Sequence, residues 1–73
     1  AERRIEEAVS QYKMAIKLDP NHISSHYNLG IVLLQKGETK EAIYYFREVL
    51  KLKPEFFAAR NKLDFALLQL QEL

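Results

Sequence analysis

The chain has 73 residues, 48% of them hydrophobic and 29% charged, which suits one small packed core and not a disordered tract. Eleven basic and ten acidic residues nearly cancel, and no basic stripe stands out, so a nucleic-acid partner is not expected. Cysteine is absent; disulfides and thiolate-bound metals are excluded, which fits an intracellular setting.

The longest unbroken apolar run apart from glycine, Ile31 to Leu34, is far too short to span a bilayer, so membrane insertion is not expected. No signal-peptide pattern opens the sequence. It starts at Ala1, already within helical-looking sequence, and reads as a piece of something longer.

The first element is a helix from about Arg3 to Leu18. Ile5, Ala8, Val9, Tyr12, Ala15 and Ile16 recur three and four residues apart along it. Asp19, Pro20 and Asn21 stop it, because proline disfavours helical geometry in the residue before it. A second helix runs from about Ile23 to Lys36 and ends at Gly37, a left-handed cap. Thr39 is the expected N-cap of a third, which ends before Pro54. A fourth starts near Phe56 and runs almost to Leu73. No strand pattern appears. Connections this short force neighbouring helices to pack antiparallel.

The sequence also repeats. Glu7, Ala8, Lys17, Leu18 and Pro20 recur as Glu41, Ala42, Lys51, Leu52 and Pro54, an offset of 34 residues. Val9 and Ile43 are similar at this offset, as are Tyr12 and Phe46. Leu29, Leu33, Leu34 and Gln35 recur as Leu63, Leu67, Leu68 and Gln69. A helix-turn-helix period of this length needs stacked neighbours to bury its apolar face. Gly30 sits inside a helix, where glycine costs about 1 kcal/mol against alanine, so a compensating reason is required. Gly30 and Ala42 are expected to let two helices approach closely.

One complete copy runs from Ile23 to Phe56. Leu29 and Gly30 form a Leu-Gly pair, Ala42 is the small residue of its second helix, Phe46 the aromatic and Pro54 the closing proline. Ala8, Tyr12, Ala15 and Pro20 supply a partial copy before it. On these residues the chain resembles the tetratricopeptide-repeat family over essentially its whole length. It departs at Val49, where the family usually has alanine, and at His26, where it often has tryptophan.

The resemblance implies an all-α fold: four helices in antiparallel hairpins, stacked as a right-handed α-solenoid fragment. Residues 1–22 would be the second-helix half of a repeat, 23–56 a complete repeat, and 57–73 a first-helix half or a capping helix. Asp64 stands where Gly30 stands in the complete copy, and a charge there suits no tightly packed following helix. The stretch from Phe56 to Leu73 is therefore expected to cap the stack, although Leu67, Leu70 and Leu73 leave the cap apolar.

The resemblance further implies a protein-interaction scaffold, not an enzyme, with a protein or peptide as partner and no cofactor. First helices line a concave groove in the family. The matching positions are Ser24, Tyr27, Ile31, Leu34 and Gln35, then Ala58, Asn61, Phe65, Leu68 and Gln69. Tyr27, Ile31, Leu34, Phe65 and Leu68 make that surface largely apolar, suited to the nonpolar face of a helix or an extended peptide, with Asn61 and Gln35 fixing polar contacts. The same residues read equally well as core.

A carboxylate clamp, which some relatives use, is not expected. Asn28 and Lys62 fall on clamp positions, but Ala58 stands where a lysine is wanted. His22 and His26 share a helix-face spacing without a third ligand and read as surface or boundary residues, not as a metal site. In the run Ile43-Tyr44-Tyr45-Phe46, Phe46 belongs to the core, Tyr44 is exposed and Tyr45 partly so. No serine, histidine and aspartate fall in a hydrolase pattern. The alternative function is self-association, as a homodimer, through the open ends of the stack: Ala8 and Tyr12 at one end, Leu67, Leu70 and Leu73 at the other.

Overall fold

The computed structural model describes residues 2–71. It holds four α-helices: α1 (Glu2–Leu18), α2 (Ile23–Lys36), α3 (Thr39–Leu52) and α4 (Phe57–Gln71), with no strand among the described residues. Each expected helix is present. Successive helices pack on one another, and α2 also touches α4, so the four form a helical solenoid. An ion pair between Lys36 Nζ and Glu6 Oε2 (3.1 Å) ties the end of α2 to the start of α1, as antiparallel packing requires.

The first turn is closed by local hydrogen bonds. The Asp19 carboxylate accepts from the Asn21 amide at 3.2 Å, and the Asp19 carbonyl accepts from the His22 amide at 3.0 Å. His22 caps α2: its Nδ1 accepts from the Ser25 amide at 3.3 Å and from the Ser25 hydroxyl at 2.6 Å. That satisfies one of the free amides of a helix start. His26, one turn on, donates from Nε2 to the Pro20 carbonyl at 2.7 Å, and so holds the turn against α2.

Gly37 ends α2 with φ 89°, the left-handed cap its sequence position predicts. Its amide reaches the Leu34 carbonyl at 3.1 Å, and the Glu38 amide reaches the Leu33 carbonyl at 2.8 Å. This pair of bonds is the Schellman closure. It also corrects the expected start of α3. Thr39 is the first residue of the helix, not its cap; Glu38 holds the cap position and makes no side-chain cap bond. The closure uses Gly37 and Glu38, so helical geometry must begin at the next residue. The Glu38 carbonyl already accepts from the Ala42 amide at 3.0 Å.

The core follows the helical spacing. Phe46, Leu29, Leu33 and Val49 are the largest fully buried side chains, joined by Ala42, Ala59 and Ala66. Gly30 is a point of close approach between α2 and α3. A Cβ added there would lie 2.6 Å from Phe46 Cε1 and 2.9 Å from Cδ1 and Cζ. The space that glycine leaves is filled by the Phe46 ring, with Ala42 one turn earlier on α3. Gly30→Leu should overpack this crossing and lose about 1–3 kcal/mol or more of stability in urea unfolding. An unchanged midpoint would show that α2 and α3 do not need the glycine.

Candidate functional site

α2 and α4 touch each other and share α3 as backing. They are the helices that carry the expected binding positions, and those positions divide by helix. On α2, Tyr27, Ile31 and Leu34 are half-buried against the core, while Ser24 and Gln35 are exposed. The Tyr27 ring lies 6.1 Å from that of Phe46 and 5.0 Å from that of Phe56, the residue just before α4. Tyr27 is therefore held between the core and the start of α4.

On α4 the side chains turn the other way. Ala59, Leu63 and Ala66 are buried, three and four residues apart, and they fix which side of the helix faces inward. Phe65 and Leu68 are then left 51% and 59% exposed, and Asn61 is exposed as well. Gln69 is half-buried. A shallow depression of about 400 Å³ is lined by Ala58, Asn61, Lys62 and Phe65. The structure thus brings together Ala58, Asn61 and Phe65 of the expected set, and seats Tyr27, Ile31 and Leu34 in the flank of the core.

At the ends of the stack, Ala8 and Tyr12 are half-buried, as are Leu67 and Leu70. Leu73 lies outside the described residues. The repeat shows what half-burial means here. At the positions of α3 matching Ala8 and Tyr12, Ala42 and Phe46 are fully buried beneath α2. Among the described residues no helix takes that place over α1.

The sequence reading missed three exposed apolar residues: Met14, Leu18 at 79% and Phe57 at 77%. Leu18 and Phe57 match the half-buried Leu52 and Ile23 in the repeat register, and that likeness hides them. Met14 was legible, because its counterpart is the charged Glu48. The placement of His26 is corrected. It is not a surface residue but is 5% exposed, with its ring 5.9 Å from that of Tyr45. The signal was its position, which the family often gives to tryptophan. His22 caps α2, and among the described residues no group of three His, Asp or Glu is placed to hold a metal ion. Nor is any described helix long and apolar enough to cross a membrane.

A two-layer stack of short antiparallel helices with a Leu-Gly crossing defines a helical-repeat protein. Comparison with known proteins gives the family. The model of the TPR repeat matches residues 3–37, and that of the tetratricopeptide repeat matches residues 23–56. The chain belongs to the tetratricopeptide-repeat family. Similar proteins include tetratricopeptide repeat protein 17 of Homo sapiens, 33% identical over 58 residues (80% of this chain, 5% of the relative). Protein O-mannosyl-transferase TMTC1 of Homo sapiens is 37% identical over 54 residues (74% and 6%). DnaJ homolog subfamily C member 3 of Homo sapiens is 32% identical over 66 residues (90% and 13%). The chain thus spans a small fraction of each. The repeats of this family are generally protein–protein interaction modules.

One charged cluster flanks the hairpin stack. Lys13 Nζ of α1 lies 3.4 Å from Glu41 Oε2 of α3, with both side chains about half exposed. Such a pair contributes roughly 0–1 kcal/mol. Tyr45 stands beside it, edge-on to Tyr44 at 5.0 Å. Burial pushes the Tyr45 phenol above the ordinary tyrosine value; Lys13 pulls it back, and Glu41 and Tyr44 add to the rise. The folded chain therefore holds this proton more tightly than the unfolded chain does. The stability so gained is fully present below the ordinary tyrosine range and is lost as pH rises through and above it. From about pH 9 to about pH 11, thermal unfolding should show a smaller loss of stability for Tyr45→Phe than for the wild type. Parallel losses would remove Tyr45 from the account.

Proposed function

We propose that this chain binds a partner protein by taking the apolar side of a helix or extended peptide along α2 and α4. The observation that carries the reading is the exposure of Phe65 and Leu68 beside the depression at Ala58, Asn61 and Lys62. Large apolar side chains left in water next to one another mark binding surfaces more often than they serve folding. Tyr27 and Ile31 would supply the stiff flank, since both are already seated against the core. Asn61 and Gln35, both exposed, offer donors and acceptors at the edge of the face. The affinity would rest on a partner's apolar anchors filling the depression against Phe65, with the polar residues setting register.

The test starts from peptides selected by display on the wild-type chain. These should carry apolar anchors at helical or alternating spacing. Phe65→Ala should weaken their binding by about tenfold or more, because a central aromatic contact contributes at least 1–2 kcal/mol. Its melting temperature should move little, since the side chain is half exposed already. Equal affinity for the variant would rule this face out.

A further inference from the structure

The internal repeat lets an interface inside the chain be carried to its two ends. Where α2 meets α3, Leu29, Gly30 and Leu33 are buried with Ala42 and Phe46. In the same register α4 carries Leu63, Asp64 and Leu67, and α1 carries Ala8 and Tyr12. The chain therefore presents an α2-like helix at one end and an α3-like helix at the other.

The charges match as well. A hollow of about 400 Å³ between α3 and α4 is lined by Arg47, Leu50, Lys51, Arg60 and Leu63. On the first hairpin the counterparts of Arg47 and Arg60 are Lys13 and His26, and α3 supplies a partner to each. Glu41 pairs with Lys13 at 3.4 Å, and the Tyr45 ring lies 5.9 Å from that of His26. Arg47 and Arg60 have no ion pair among the described residues. At the other end of the stack, Glu7 and Gln11 of α1 stand at the positions of Glu41 and Tyr45, and with Arg3, Glu6 and Ser10 they line a surface hollow in which the two carboxylates outnumber the one guanidinium.

We propose that a second copy of this chain docks head to tail, its α1 lying on α4 as α3 lies on α2, with Glu7 of the second copy paired to Arg47, and that Asp64 holds this docking weak. Gly30 shows why. A Cβ at that position comes within 2.6 Å of the ring it faces. Asp64 brings both a Cβ and a carboxylate to the matching place, against the Tyr12 ring of the second copy. The two surfaces are different patches, so the contact does not close on itself and extends into an open row. It uses neither Phe65 nor Leu68, and its test is separate from that of the peptide face.

Sedimentation velocity across a wide concentration range reads the proposal, with circular dichroism to establish that each variant is helical. The wild type should stay monomeric where D64G forms species growing beyond the dimer, at concentrations lower by about tenfold or more. D64A should assemble less than D64G although alanine is the better helix former, so the order cannot come from helix stability. In the D64G background, E7R and R47E should each abolish assembly, and mixing the two should restore it. Should D64G fail to fold, Y12A removes the ring from the other side of the same contact and should promote assembly in its place. The proposal is overturned if D64G stays monomeric throughout, if the wild type assembles as readily, or if assembly is indifferent to E7R and R47E.

Discussion

The contact between Gly30 and the Phe46 ring governs this fold. A missing side chain on α2 admits an aromatic ring from α3 at a distance no other residue permits. The ring is fully buried as a result, and so are Ala42 and Leu29 near it. Phe46 in turn lies against Tyr27, and Tyr27 against Phe56, where α4 begins. A single close crossing thus reaches from the middle of the stack to the helix that carries the exposed apolar residues. Glycine lowers helix propensity there, and the burial of a phenylalanine offsets that loss.

Much of this was readable in the residues. Proline and glycine punctuation located all four helices, because both act through the backbone of their immediate neighbours. The offset between Glu7 and Glu41 located the repeat, and with it the pairing of core positions. Local rules failed where two of them competed. Thr39 is a good N-cap in isolation, but the closure of α2 through Gly37 and Glu38 leaves it no room outside the helix. The four-residue spacing from His22, with no third ligand, suggested a surface or boundary histidine at His26, whereas the structure buries it beside the Tyr45 ring of α3.

The candidate face was less legible, for a physical reason. An apolar residue on a short helix looks the same in sequence whether a neighbour covers it or not. Leu18 and Leu52 are matched in the repeat, yet one is largely exposed and the other half-buried. Likewise Leu34 and Leu68 are matched, with Leu34 packed on the core and Leu68 left in solvent. The repeat specifies which direction a side chain takes from its own helix. What it meets there depends on the next element, and that information is not local.

Each helix packs mainly on its neighbour in the chain; beyond that α2 touches α4, and the Lys13–Glu41 ion pair links α1 to α3. No distant segments have to find one another before the structure gains stability. Chain-closure entropy is consequently small, which favours rapid folding. The α2–α3 hairpin contains the complete Gly30–Phe46 crossing. From there order can spread outward in both directions, as in a one-dimensional array. Among the described helices α1 packs on α2, whereas α3 packs on both α2 and α4, so the amides of α1 should exchange with solvent before those of α3.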